Sequence, residues 1–523
     1  MTAPVVLAAI NARYAHASGA LRALAANWDG PRPLILVEGT LEDDPVRFAG
    51  RLLEHEPALV AFSVHLWSAR PTAHAARVLR RVRPDLPLMA GGPEFLGEGG
   101  GGDGGGDGDG DGGGGGDARH PIAGVVDLVV RGEADLAFPG LCETLIASGP
   151  AAGAGPARVV TCPPPDLATV RLPVDAFSDD DLAHRVCYVE TSRGCPMRCA
   201  FCTAPTGTGV PAPTGVPAPA AVRRFPAERV LAQLQALWDR GLRRYKFLDR
   251  SVHLGNFRLV LEWLLSRPEP VFAHLELTPH RLESDLAFLL AEFPPGALQL
   301  ELGVQTLTPE VARAVGRPLT DVVAETLEYC VHETDAHVHA DLIAGLPGET
   351  PESFADSFDR LLATGVHELQ LGILKRLPGT RLCALMPEPW FNPEPPYDVL
   401  FTDTFPFEEM ARLKVMARFW DLVANSGNFR DATALLLAGP SPFAAFLAFS
   451  DWLHGATGRR THGIERHRLA GLLHEYLTTV RGLAPDAVTA ALAADHARHR
   501  RGAPTAPDAS PTPRRQRRHE PPS

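Results

Sequence analysis

Lysine is almost missing from this 523-residue chain: Lys246, Lys375 and Lys414 are its only examples. Arginine carries nearly all the positive charge, a bias that reflects base composition more than function. Positive charge is also in deficit overall. The net charge of −12 argues against a general binder of nucleic acid or anionic membrane. Cysteine is sparse as well. Eight cysteines in 523 residues are too few for the disulfide scaffold of a small secreted domain and point to a reducing cytosol. The opening "MTAPVVLAAINARY" lacks the basic segment and small-residue cleavage pattern of a signal peptide, so it reads as a first strand. The apolar stretch 432–449 is broken by "GPSP" and is no clean membrane span. These absences leave a cytoplasmic protein, without membrane partners, of two or three globular domains.

Short apolar runs alternate with helical patterns from the start: "PVVLAAI", "PLILVE", "LVAFSV", "LPLMAGG" and "VVDLVVRGE". Almost wholly apolar strands separated by helices predict a parallel sheet covered on both faces, with ligands beyond the strand C-termini. Residues 1–150 therefore read as a doubly wound, Rossmann-like domain. The Gly/Asp-rich insert 97–117 resembles calcium-binding nonapeptide repeats but lacks the apolar position such repeats stack on. A disordered surface insertion is the simpler reading. Residues 151–185 read as a linker.

A second alternation follows: "VCYVE", "RYKFL", "VFAHLEL", "ALQLELGV", "HVHADLIAGL" and "ELQLGIL". Six such strands predict a partial (β/α)6 barrel over 186–395, with its chemistry at the strand C-termini. A Pro/Gly-rich loop at 203–221 carries a tandem six-residue duplication, "TGVPAPTGVPAP". Residues 396–500 read as a helical domain. Residues 501–523 read as a disordered tail whose "PRRQRRH" is taken as solvated, which keeps a nucleic-acid partner out of the expectation.

Three of the eight cysteines fall in "ETSRGCPMRCAFCTAP", as Cys195, Cys199 and Cys202. Three soft ligands on one tight loop suit zinc, copper(I) or an iron–sulfur cluster. A four-iron cluster usually takes four cysteines, so three leave one iron open to a substrate or cofactor. Zinc completed by Cys187 or His184 is the alternative. The spacing matches no common zinc knuckle, however, and Cys187 lies in an apolar strand where an inert buried thiol is ordinary.

This stretch resembles the signature of radical S-adenosylmethionine (radical SAM) enzymes. In that family three cysteines hold a 4Fe-4S cluster and S-adenosyl-L-methionine chelates the fourth iron. The resemblance implies that Phe201 lies against the adenine. Asp249, in "KFLDRS", falls where many members carry a Gly-Gly-Glu motif for the methionine amine, although the glycines are absent. "LELGVQT" resembles the fourth-strand motif and implicates Glu301 and Gln305, which strand alternation places on one face with Gly303. Arg317 becomes a candidate for gripping the carboxylate of S-adenosylmethionine. "DLIAGLPGET" resembles the fifth-strand adenine motif, with Gly345, Pro347 and Gly348 approaching the ligand.

The front domain lacks the G-x-G-x-x-G of a dinucleotide fold after its first strand, and lacks Asp-x-His-x-x-Gly for cobalamin. It nevertheless resembles the cobalamin-binding domain that precedes many radical SAM domains, through "INARYAHASGALR", "FSVHLWS", "AGGPEF" and "DLVVRGEADLAFPGL". That likeness implicates Tyr14, Ser63, His65, Gly91, Gly92, Pro93, Gly132 and Glu133 at cobalamin, with His65 and Trp67 near the lower face of the corrin. His65 reads equally well as a hydrogen-bonded core histidine. "PPYDVLFTDTFPFEEMARLK" and "DLVANSGNFR" resemble a C-terminal domain of unknown function from one branch of these proteins.

Together the resemblances imply an enzyme that uses a 4Fe-4S cluster, S-adenosylmethionine and cobalamin, and takes electrons from an external donor such as flavodoxin or ferredoxin. The implied reaction is methyl transfer to an unactivated carbon through a 5′-deoxyadenosyl radical and methylcobalamin. Cyclisation, rearrangement or redox chemistry with the same cofactors is one alternative. A cobalamin-responsive binding protein with an idle barrel is another. A radical reaction needs no general base, so no catalytic acid or base is assigned, and the sequence does not identify the substrate.

Overall fold

The computed structural model describes residues 2–95, 120–150, 157–204, 222–250, 256–278, 282–317 and 322–500. The Gly/Asp-rich insert, the six-residue duplication and the tail lie outside these residues. The chain forms two compact units. Of the described residues, one unit contains those up to Ala273 with Lys375–Tyr397; the other contains His274–Leu374 with those from Asp398 to Arg500. The fold class is α/β: a doubly wound front domain, a partial (β/α)6 barrel and a helical C-terminal region.

The strands, in chain order, are β1 (Val5–Asn11), β2 (Leu34–Thr40), β3 (Leu59–Ser63), β4 (Leu88–Gly91), β5 (Leu128–Gly132), β6 (Arg158–Cys162), β7 (Cys187–Val189), β8 (Ser192–Arg193), β9 (Arg223–Arg224), β10 (Arg244–Phe247), β11 (Phe272–Leu277), β12 (Leu298–Gln305), β13 (His337–Ala344) and β14 (Glu368–Ile373). Both predicted alternations are present. The helices Gly19–Ala26, Pro45–Leu53 and Ala69–Val82 fall between the front strands as the apolar spacing requires.

In the first unit the front sheet runs β2-β1-β3-β4-β5-β6, with every pair parallel. Alternate residues of β1 enter opposite cores. Val6, Ala8 and Ile10 pack with Phe48, Leu52 and Leu79, while Val5, Leu7 and Ala9 pack with Leu21, Phe138 and Leu145. Period-two burial on both faces is what near-continuous apolar strands produce. The order reverses between β1 and β3, so the crevice beyond these two strands is the topological switch point.

Two features differ from the sequence expectation. Part of the segment read as a linker is β6, which pairs with β5 from Leu128↔Arg158 to Gly132↔Cys162. Its five residues have one fully buried side chain, too little apolar signal to read as a strand. The second feature is a two-residue antiparallel ladder, β8 against β9, with Arg193 opposite Arg223. It brackets the segment that carries the three cysteines. Also in this unit, β7 pairs in parallel with β10.

In the second unit β12, β13 and β14 are parallel neighbours. The helices Phe407–Val423, Arg430–Leu437 and Pro442–Ala456 follow, as the reading of 396–500 anticipates. No single described helix is long and apolar enough to cross a membrane. Arg430–Leu437 and Pro442–Ala456 pass such a test only as a pair bent by 109°, and Phe446, Phe449 and Leu453 on the second helix are fully buried in the protein core. Asn425 finishes β14 as a strand would: its amide donates to the Leu369 carbonyl at 2.8 Å and accepts from the Leu369 N–H at 3.2 Å. The Trp420 indole adds a second donor to that carbonyl at 2.8 Å. These bonds satisfy strand groups that would otherwise be buried without partners. Replacing Asn425 with Ala should therefore cost about 1–3 kcal/mol, read as a lower urea midpoint for loss of helical signal.

Candidate functional site

The three thiols sit on the loop that leaves β8. Gly194 turns the chain with a φ of +97°, in the left-handed region that glycine adopts without strain. Cys195 and Cys199 are buried and Cys202 is half-buried, and half-buried Phe201 lies between the last two. The loop is tied by its backbone: Cys202 N–H donates to the Cys199 carbonyl at 3.1 Å, and Leu382 N–H to the Ala200 carbonyl at 2.8 Å. The Ala204 N–H donates to Cys202 Sγ at 3.4 Å, an interaction that favours a thiolate. Burial still pushes the Cys202 thiol up, and the other two cysteines add like-charge repulsion. Metal binding would displace these protons.

Among the described residues no three His, Cys, Asp or Glu side chains converge on one metal ion. In a four-iron cluster each thiolate takes a different iron. The donor set, three thiols on one backbone-tied loop, fits such a cluster.

The base of the loop is held by charge. Arg193 uses its whole guanidinium. Nη1 meets Glu133 Oε2 and Asp135 Oδ2, both at 2.8 Å. Nη2 meets Asp135 Oδ1 and Glu190 Oε2, both at 2.9 Å, and Nε reaches Glu190 Oε2 at 3.2 Å. Arg223 pairs with the other oxygen of Glu133. Burial raises the Glu190 carboxyl, an effect Arg193 opposes and the charges of Asp135 and Asp249 reinforce. None of this network except Glu133 was singled out from sequence. Its members are spread over 90 positions, and no local pattern announces the pairing.

Asp249, two residues beyond β10, is engaged within the protein. Its oxygens accept from Thr191 N–H at 3.0 Å, Thr191 Oγ1 at 2.6 Å and Ser192 Oγ at 2.5 Å. The aspartate thus anchors the two residues that lead into Arg193.

In the front domain the candidates gather beyond the strand C-termini. Ser63 ends β3, and its buried hydroxyl has no hydrogen-bond partner among the described residues. A buried polar atom left open at a switch point suits a ligand. The ring of His65 stacks on Trp67 at 4.6 Å, and burial lowers its pKa to about 4, so it is neutral at physiological pH. Trp67 is 46% exposed and donates its indole N–H to the Ile10 carbonyl at 3.2 Å. Tyr14 is exposed and donates to Asp180 at 2.7 Å. Gly91 ends β4, and exposed Pro93 begins the turn after it. Gly92 (φ +118°) and Gly132 (φ +79°) have packing reasons for lacking a side chain: a Cβ would lie 2.5 Å from the Val64 carbonyl oxygen and 2.3 Å from that of Cys162.

The second unit holds the remaining candidates. Glu301, Gly303 and Gln305 are the partly exposed positions of β12, alternating with buried Leu300, Leu302 and Val304, as the alternation requires. His274, missed in the sequence, meets Glu301 at 2.9 Å. The register slips between Gly303 and Gln305, and Gln305 takes a φ of +74°. This bulge folds Gln305 back, so a Cβ on Gly303 would meet its amide nitrogen at 2.6 Å. Arg317 donates to the Gly303 carbonyl.

Beyond β13, Gly345 (φ +86°) and Gly348 (φ +77°) flank Leu346 and half-buried Pro347. Gly345 is required by its neighbours, since a Cβ would lie 2.6 Å from Val399. Glu349 is fully buried. Its Oε2 accepts the Gly345 N–H at 2.8 Å, while Oε1 has no partner among the described residues. Burial raises its pKa to about 8.

Residues 189–361 match the Radical SAM superfamily, and 388–517 match a protein family of unknown function, DUF4080. The chain is 25% identical over 390 residues to a 2-(S-pantetheinyl)-carbapenam-3-carboxylate methyltransferase of Streptantibioticus cattleyicolor, covering 68% of this chain and 52% of that protein. It is 24% identical to the cobalamin-dependent radical SAM methyltransferase TokK of Streptomyces tokunonensis, with the same two coverages. The chain thus spans about half the length of these curated relatives. Among solved structures, the radical S-adenosylmethionine methyltransferase TsrM of Kitasatospora setae aligns with a TM-score of 0.54 at 16% identity, over 73% of this chain and 75% of that one. The cobalamin-dependent S-adenosylmethionine radical enzyme OxsB aligns with a TM-score of 0.57 at 13% identity, over 95% and 75%. The two solved structures share the fold.

Glu349 yields a pH signature. Its folded pKa lies above its unfolded value, so the folded state holds the extra proton and the group's contribution to stability falls as pH rises. That contribution is full below about 4.5 and is lost by about 8. Thermal melts of the metal-free chain at pH 5.5, 7 and 8.5 should show this decline, and Glu349→Gln should flatten it.

Proposed function

Because residues 189–361 form a radical SAM domain, we propose that this protein is a cobalamin-dependent radical SAM methyltransferase acting on an unactivated carbon. One arrangement carries the reading. The three-thiol loop and the switch point of a doubly wound domain belong to one compact unit, and that domain lacks the dinucleotide glycine pattern. The relatives' descriptions as cobalamin-dependent methyltransferases support it.

Cys195, Cys199 and Cys202 would hold the cluster. Ser63, His65, Gly91–Pro93 and the loop after β1 would face cobalamin, and Gln305, Arg317 and the 345–348 turn would face S-adenosylmethionine. When bound, these groups supply a 5′-deoxyadenosyl radical and a transferable methyl. The protein's own part is to bind, orient and exclude water. Neutral His65 would add no charge beside a bound cobalamin. The anchored base of the thiol loop would hold the cysteines in place for the cluster. An external one-electron donor of the flavodoxin or ferredoxin type belongs to the same proposal, as does a cytoplasmic location.

The test is anaerobic reconstitution with iron and sulfide, followed by assay for 5′-deoxyadenosine from S-adenosylmethionine with and without methylcobalamin. Deoxyadenosine should form, and the product should gain the mass of one methyl group. Deoxyadenosine without a methyl gain overturns transfer in favour of another radical outcome; none at all overturns the enzyme. Separately, Cys199→Ser should abolish the S-adenosylmethionine-dependent change in the electron paramagnetic resonance spectrum of the reduced cluster.

A further inference from the structure

Arg193 stands two residues before Cys195, yet two of its three carboxylate partners belong to the front sheet. Glu133 and Asp135 follow β5, whereas Glu190 is a near neighbour in sequence. Five side-chain contacts are made by a group with five N–H donors, so its capacity is filled. Asp135 takes the guanidinium bidentately, the geometry that fixes orientation as well as distance. The Asp135 side chain is 7% exposed and the Arg193 side chain 13%, so solvent screens this contact little.

The surroundings strengthen the same link. Arg193 faces Arg223 across the β8–β9 ladder, where like charges would repel. Glu133 lies between them with one oxygen on each. Arg223 also donates to the Pro165 carbonyl at 3.0 Å, beyond β6 of the front sheet. The Arg193 guanidinium lies 5.6 Å from the centre of the Phe225 ring. The ladder that closes the thiol loop is therefore held together by an acid from the front domain.

We propose that Arg193 is a positioning residue through which the loop after β5 sets the place of the Cys195–Cys202 loop. On the reading that these thiols bind a cluster and the front domain binds cobalamin, the same carboxylates fix one cofactor loop against the edge that holds the other. The front domain then acts as scaffold for the cluster as well as container for its own ligand.

The test uses the full-length chain and the variants Asp135→Asn, Arg193→Met and Arg193→Lys. In the metal-free protein, iodoacetamide labelling followed by mass spectrometry gives a rate for each thiol. Asp135→Asn should speed labelling of Cys195, Cys199 and Cys202 about tenfold, the size expected when a charged hydrogen bond restraining a local opening is lost. Cys142, buried beneath the same front sheet, should keep its wild-type rate. Arg193→Met should do at least as much. Arg193→Lys should not rescue, because an ammonium cannot make the fork. After reconstitution, Asp135→Asn should also alter the spectral response of the reduced cluster to S-adenosylmethionine.

Wild-type rates for the trio in Asp135→Asn, or a wild-type spectral response, overturn the inference. Equal acceleration of Cys142 overturns it too, because that would mark general loosening. If Arg193→Met does not fold, Asp135→Asn decides alone. Labelling needs no cofactor, so failure to bind iron would count against the cluster reading and leave this inference to stand or fall separately.

Discussion

Parallel hydrogen bonding is the constraint on which this molecule's chemistry rests. A parallel strand cannot turn straight back to its neighbour; it must cross over through a helix, so successive strands point the same way. In the front sheet this brings the segments after β1, β3, β4 and β5 to one edge. Tyr14, Ser63, His65, Gly92 and Glu133 come together for that reason, although 119 positions separate the first from the last. The same edge delivers Glu133 and Asp135 to the arginine that precedes the cysteines.

Buried ionic groups in this protein are stabilised in three ways, each with its own consequence. Asp249 is satisfied by three donors from adjacent residues, which ties two loop residues to a strand end. Arg193 is satisfied by three carboxylates, which ties a loop to a sheet. Glu349 accepts the Gly345 N–H and has one oxygen without a partner, so it holds its proton near neutrality and behaves as a neutral acid. Burial is common to all three. It raises both carboxyls, and the Thr191 and Ser192 donors oppose that rise at Asp249.

Much of the fold was legible because fully buried parallel strands write themselves as apolar runs, and every such run here became a strand. β6 was not legible, since "RVVTC" is short and only its last residue is buried. Nor was the β8–β9 ladder, whose two-residue strands are three parts arginine. The candidate residues show a subtler limit. Gly92, Gly132 and Gly345 read as places where a ligand approaches the backbone. They also lie where Val64, Cys162 and Val399 already do so, and sequence cannot separate these two demands. Asp249 and Glu133 were legible as acids beyond strand ends. Their partners lie 57 to 90 positions away in the chain, and only the folded arrangement shows them.

The β8–β9 ladder also bears on how the chain can change in length. It fastens both ends of the stretch containing the thiols, so residues added after Cys202 need not disturb the segment before it. Lengthening a closed loop is entropically mild, about 0.6 kcal/mol for each doubling. "TGVPAPTGVPAP" occupies that stretch, a duplication in a place where growth costs little. A hairpin of two residues per strand can in this way separate the thiol segment from a change in length beside it.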